Sequence, residues 1–174
     1  KPNASYLVIS GDINMDEAKK LAEQYFGDWE KAEVPEHNYD FPGLSEGRKV
    51  ALVNKDDAVQ SVISINYPVR LKPGDADAIK ARVTNHILGG GGFSAYLMQN
   101  LREDKGYTYG AYSSLSNDPL VGHFNAQSEV KGEVTDSAVT EFLKEMKRIR
   151  NEKVDPEHLD LVKNVIYGQF ARDM

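Results

Sequence analysis

The chain contains no cysteine. That absence excludes a disulfide framework, a thiolate-bound metal and a cysteine nucleophile, and it is compatible with a bacterial periplasm or cytoplasm alike. No apolar run is long enough to cross a bilayer as a helix. Basic runs are missing too: 21 Lys and Arg stand against 27 Asp and Glu, and the formal charge of -6 repels nucleic acid backbones and anionic membrane surfaces. No G-x-S-x-G elbow occurs, so no serine triad of that kind is expected. Neither H-E-x-x-H nor H-x-x-E-H occurs, and His37, His86, His123 and His158 have no second ligand in register. Each histidine therefore reads as structural or solvated, and no metal site is expected in this chain.

What is present bounds the fold. A length of 174 residues with 40% hydrophobic content supports one domain, 1-174, around a single core. The chain opens at Lys1 with "KPNASYLVISGDI", which reads as a strand already under way, so a fragment of a longer polypeptide is expected. "SYLVIS" (5–10) predicts a buried strand. Asn14 with Glu17 three residues on marks a helix start, and the spacing of Met15, Ala18, Leu21, Ala22, Tyr25 and Phe26 carries that helix to Gly27. Residues 28–47 have no period and read as a surface loop. Strands are predicted at 49–53 and 60–67, joined as a hairpin by "NKDDAV". Asp75 is placed as the cap of a helix through Ile79, Val83 and Ile87, which the glycines from Gly89 stop. A second helix from about Ser94 has Phe93, Leu97, Met98 and Leu101 as its apolar face and frays at 103–106. Residues 107–115 and 120–130 alternate around "SNDP", another hairpin. Two amphipathic helices close the chain, capped by Thr135 and by Asp155 with Pro156. Hairpin-linked strands and paired helices make an α+β domain: a mostly antiparallel sheet with paired helices packed on one face.

Two features could carry chemistry. The run Gly89, Gly90, Gly91 and Gly92 allows close backbone approach or positive φ, and a helix N-terminus follows it. It lacks the Gly-Lys-Ser/Thr of a P-loop, and a helix precedes it where a dinucleotide fold needs a strand. It also serves as a tight corner between helices, with its first glycine as a cap. The second feature is Arg102, in the last turn of one helix, and Tyr109, seven residues later at the start of a strand. A guanidinium fork and a phenol aimed at one point could hold a peptide backbone or an oxyanion. Alternatively, Arg102 complements its helix C-terminus and Tyr109 packs in the core beside Tyr107 and Tyr112.

The stretch "ILGGGGFSAYLMQNLREDKGYTYGAYSSL" resembles the signature of the second-half domains of pitrilysin/insulinase-type zinc metallopeptidases, a group that includes the mitochondrial processing peptidase and the core proteins of respiratory complex III. "NASYLVISGDINMDEAKKLAEQYFGDW" resembles the opening of such a domain, and "NEKVDPEHLDLVKNVIYGQFARDM" its closing helix pair, so nearly the whole chain is covered. The resemblance implies that Arg102 and Tyr109 contact the substrate peptide and steady the tetrahedral intermediate. It implies that Gly89 to Gly92 form a short glycine-rich substrate loop. Two departures accompany it. Tyr96 stands where the family often carries Arg, and the H-x-x-E-H motif, which belongs to the first-half domain, is absent. The implied protein is a substrate-binding, non-metal-binding domain of a zinc metalloendopeptidase, inactive by itself. Zinc is then expected in a partner half-domain, on the same chain or on a partner subunit. A catalytically inactive structural or assembly domain of the same fold is the other reading.

Overall fold

In the computed structural model, residues 1–36, 39–43 and 46–173 are described; His37, one of the four histidines considered above, lies outside them. The chain divides into two compact units, Lys1–Asp40 and Phe41–Met174.

The first unit holds α1, Met15–Phe26. Its start is a reciprocal capping box: the Glu17 N–H donates to Asn14 Oδ1 at 2.9 Å, and the Asn14 N–H donates to Glu17 Oε2 at 3.4 Å. Beyond the helix, Trp29 stands edge-on to Phe26 with ring centres 5.1 Å apart. Asn3 clamps Ala32 from both sides, its Nδ2 donating to the Ala32 carbonyl and its Oδ1 accepting the Ala32 N–H. The strand expected at 5–10 does not form, and Tyr6 is 99% exposed. β-branched and aromatic residues favour an extended backbone, but a strand also needs a ladder partner, and these residues have none.

The second unit is built on three antiparallel strands, β1 (Gln60–Val69), β2 (Thr108–Ser116) and β3 (Gly122–Lys131), in the order β1-β3-β2. Along β3 every second residue from Gly122 to Val130 is buried or nearly so, while His123, Gln127 and Glu129 face out. That two-residue alternation makes one face apolar and one polar. Ile63, Ala111, Phe124, Ala126 and Val130 form the sheet side of the core, and Leu88, Leu97, Leu101, Ala138 and Phe142 come down on them from the helical side. Across β1 and β3, Tyr67 stacks on its register partner Phe124 at 4.8 Å. Burial raises the Tyr67 phenol above its ordinary pKa.

The helical layer comprises α2 (Ala78–Asn85), α3 (Thr135–Asn151) and α4 (Pro156–Asp173), with π-helical turns at His86–Gly90 and Met98–Asp104. α4 starts as expected, the His158 N–H donating to Asp155 Oδ2 at 3.1 Å. Two other caps move. Asp75 accepts the Lys72 N–H and closes a turn ahead of α2, which begins three residues later. Thr135 is the first residue of α3, its hydroxyl bonded to the Gly132 carbonyl and to Ser61. The glycines do not stop the first helix at Gly89; it widens into π turns that run through Gly90. The second helix does not begin at Ser94, because Ala95 is extended and regular helix resumes after it. A hairpin between 49–53 and β1 is also absent: residues 49–53 form no strand and Leu52 is 94% exposed. The turn at 55–58 does close, with the Ala58 N–H donating to the Lys55 carbonyl, yet β1 pairs along its length with β3 and not with 49–53.

Candidate functional site

Arg102 lies near the end of the π-helical segment, whose C-terminus is closed by the Lys105 N–H donating to the Asn100 carbonyl and the Tyr107 N–H donating to the Leu101 carbonyl. Gly106, at φ +62°, supplies the left-handed residue that turns the chain into β2. Two residues before Arg102, Asn100 anchors this segment to α3. Its Nδ2 donates to Glu145 Oε1 at 2.6 Å and to Glu141 Oε2 at 2.8 Å. Glu145 is buried and also meets Arg148 Nη1 at 3.3 Å. Glu141 is held below the ordinary carboxylate pKa, first by the Asn100 amide and then by Lys144 and Lys105.

Tyr109 reaches the same place by a different device. The β2–β3 register breaks between Thr108 and Ala111, so Tyr109 and Gly110 form a bulge with no cross-strand partner. The bulge is fastened by hydroxyls. The Gly110 N–H donates to Thr108 Oγ1 at 3.0 Å, Thr108 Oγ1 donates to the Glu129 carbonyl at 2.5 Å, and the buried Ser128 Oγ donates to the Gly110 carbonyl at 2.8 Å. Tyr109 is thereby turned outward, 87% exposed. It does not pack in the core, whereas Arg102 does lie in the last turn of its helical segment, as the same alternative has it.

The structure brings Arg102 and Tyr109 together. The guanidinium Cζ lies 5.2 Å from the centre of the Tyr109 ring, and 4.8 Å from that of Phe93. Each contact is a cation–π arrangement worth about 0.5–1 kcal/mol at an exposed site. Arg102 Nε faces Glu103 Oε1 at 3.4 Å. The Arg102 side chain is 29% exposed, partly covered by the two rings and by Glu103.

The glycine run divides in two. Gly89 is buried, and a Cβ there would stand 2.5 Å from the Ser113 backbone nitrogen and 2.8 Å from Leu97 Cδ1. Close packing of the π turn on β2 therefore requires it. Gly90, Gly91 and Gly92 are at least partly exposed, and Gly92, at φ +66°, turns the chain so that Phe93 meets Arg102. Phe93 was expected in an apolar helix face. The break at Ala95 takes it out of helical phase, and periodicity carries no signal for that. Nor does any motif mark Thr108 and Ser128.

Tyr96 is buried beneath Arg148, whose Cζ lies 4.0 Å over its ring, with the His158 ring 5.5 Å away. A positive charge thus lies over this position, supplied by α3. Elsewhere a depression of about 600 Å³ is bordered by Arg82, Asn85, His86, Gly90, Ser113 and Gln169. Neither Arg102 nor Tyr109 borders it. His86 is pushed below its ordinary pKa by burial and then by Arg82. Among the described residues no group of three or more His, Asp or Glu could hold a metal ion, so the donor set does not fit zinc.

With this geometry in view, the comparisons with known proteins are specific. A family model described as "Peptidase M16 inactive domain" matches residues 1–166. The Non-peptidase homolog YmxG of Helicobacter pylori is 25% identical over 167 residues, covering 95% of this chain, and the chain spans 38% of that relative's length. Among solved structures, one described as a protease from Helicobacter pylori matches with a TM-score of 0.80 at 18% identity, over 93% of this chain and 39% of that one. A peptidase M16 inactive domain from Pseudomonas fluorescens matches with a TM-score of 0.59 at 25% identity, over 64% of this chain and 27% of that one. The chain belongs to the peptidase M16 inactive-domain family.

Proposed function

We propose that this chain is a non-catalytic half-domain that contacts extended polypeptide through Arg102 and Tyr109, alongside a partner half-domain on the same chain or another subunit. One observation carries this reading: the partly exposed Arg102 guanidinium lies 5.2 Å over the ring of Tyr109, which is turned outward on the surface. A guanidinium edge is a planar donor suited to peptide carbonyls, and the Tyr109 hydroxyl adds one directional donor beside it. Gly92 is partly exposed with open space where a Cβ would stand, which leaves room for backbone to approach nearby. Hydrolysis is not a property of these residues alone. No group of three or more metal ligands occurs among the described residues.

A second reading concerns the whole protein, which can be a peptidase or a structural relative without activity. The name of the Helicobacter pylori relative, a non-peptidase homolog, favours the inactive form. The Arg102–Tyr109 contact favours an enzyme in which the pair steadies a developing oxyanion from across a chamber. The test uses the full-length protein, with metal analysis, peptide hydrolysis and titration of a labelled unfolded peptide. Arg102→Gln should weaken peptide binding in either case. In an active parent Tyr109→Phe should lower kcat about tenfold to a thousandfold, the scale of a lost oxyanion donor. Peptide binding unaffected by both substitutions would remove the contact role.

A further inference from the structure

The depression between α2, the end of β2 and α4 has no part in the contact proposed above, since neither Arg102 nor Tyr109 borders it. Its polar wall is held in place. Asn85 is tied across to β2 by two bonds, the Ser113 hydroxyl donating to Asn85 Oδ1 at 2.8 Å and Asn85 Nδ2 donating to the Ser113 carbonyl at 3.3 Å. The glycine run makes room for the side chains beside it: a Cβ on Gly91 would stand 2.9 Å from His86 Cδ2, and one on Gly90 2.9 Å from Asn85 Nδ2. His86, partly buried, follows Arg82 by one helical turn, and both border the depression. A volume of about 600 Å³ lies within the roughly 300–1,000 Å³ of small-molecule sites.

The border selects by charge and polarity. In a chain of net charge -6, no Asp or Glu among the described residues borders this depression, and Arg82 gives it one full positive charge. Burial, and then Arg82, hold the His86 imidazole below its ordinary pKa, so at neutral pH it is an uncharged ring with one N–H to donate. Leu71, Ile79 and Leu115 add an apolar border, and Ile79 is 76% exposed. A guanidinium matches a carboxylate through two parallel bonds, and one full charge balances a monoanion. A phosphate dianion would leave negative charge in excess and the apolar border unused. We propose that this depression binds a carboxylate carried on a short apolar body, with Arg82 holding the carboxylate, Asn85 and His86 adding donors, and Ile79 and Leu71 meeting the apolar part. That chemistry has two sources, a free organic acid and the C-terminal residue of a polypeptide. The site stands independently of any role for Arg102 and Tyr109.

The test is calorimetric titration of the full-length protein with 3-phenylpropanoate, its amide, acetate, inorganic phosphate, and a nine-residue alanine–serine peptide ending in leucine with a free or an amidated C-terminus. Each free carboxylate with an apolar body should bind about tenfold to a hundredfold tighter than its amide, the scale of charge-assisted hydrogen bonds. Tighter binding of the free-terminus peptide supports the site with a chain terminus as its ligand, and tighter binding of phenylpropanoate supports it with a free acid. Arg82→Gln should weaken the preferred carboxylate about tenfold or more. Ile79→Ser should bring phenylpropanoate down toward acetate. Both side chains are exposed, so both variants should melt close to wild type. Equal binding of acid and amide, phosphate binding tighter than phenylpropanoate, or no binding of any carboxylate overturns the proposal. So does affinity unchanged in Arg82→Gln, and its loss in Arg102→Gln would then place the acid on the other guanidinium.

Discussion

Substituting alanine at Gly89 tests whether the first of the four glycines serves packing or ligand approach. The new Cβ would stand 2.5 Å from the Ser113 nitrogen, 2.6 Å from its Oγ and 2.8 Å from Leu97 Cδ1. Ordinary van der Waals separation is about 3.5–4 Å, so the π turn and β2 must part by roughly 1 Å. Overpacking of this kind costs about 1–3 kcal/mol. The movement also strains the link in which Ser113 Oγ donates to Asn85 Oδ1 at 2.8 Å, a bond worth about 1 kcal/mol net. Reduced freedom of the unfolded chain returns about 0.4–1 kcal/mol. The net expectation is a loss of about 2–3 kcal/mol, which in a chain of this size lowers Tm by roughly 5–10 °C. The comparison variant is Gly168→Ala, on an exposed turn of α4 where a Cβ meets nothing within 4 Å. It should stabilise by about 0.5–1 kcal/mol through helix propensity. Both are read by thermal and urea unfolding followed by circular dichroism. A Gly89→Ala variant as stable as wild type refutes the packing argument, the more so if it loses peptide binding.

Two further outcomes are expected. Ser128→Ala removes the hydroxyl that fastens the bulge to Gly110, and should cost about 0.5–1.5 kcal/mol. It should also speed amide exchange at Gly110; unchanged exchange there would show that the bulge stands without it. Stability should fall as pH is lowered, in two stages whose signs follow from the two shifts. His86 titrates lower when folded, so the unfolded chain takes up its proton first and stability drops as pH falls below the ordinary histidine value of 6.5. Glu141 also titrates lower when folded, so its contribution is present above 4.5 and is lost as pH falls through the folded value. Urea midpoints across pH 7.5 to 3 for wild type, His86→Asn and Glu141→Gln should show each substitution flattening its own stage, and identical profiles would count against both assignments.

Much of the architecture was legible where a local interaction decides the structure. Asn14 and Glu17 cap each other, Asp155 caps α4, and Asp118 fastens the β2–β3 turn by accepting the Leu120 N–H, all within four residues. The alternation read over 120–130 likewise corresponds to the alternating burial of β3. The expectations failed where the outcome depends on a distant partner. Residues 5–10 and 49–53 carry strand-forming side chains, yet no neighbouring ladder takes them up. The π turns have no sequence period of their own, because they widen where a helix must seat glycine backbone against a strand, as at Gly89 on Ser113. At the candidate site the types and spacing of Arg102 and Tyr109 were readable. Their mutual approach depends on the bulge at Tyr109, and the place of Phe93 depends on the break at Ala95.

The geometry of this cluster is set by directional polar bonds as well as by apolar packing. The core beneath it consists of Leu97, Leu101, Ala111 and Phe142, whose contacts are non-directional and would tolerate small shifts of the π segment along β2. Asn100 removes that freedom on one side by donating to both Glu141 and Glu145, and the Thr108–Ser128 hydroxyls remove it on the other. Burying Glu145 carries a desolvation cost, which Arg148 and Asn100 offset together. A fold that needed only stability could place apolar side chains at 100, 128 and 145 without leaving polar groups unpaired. A directional network at both anchors narrows where Arg102 and Tyr109 can meet. That narrowing is what the proposed contact site would need, although no group of three or more metal ligands occurs among the described residues.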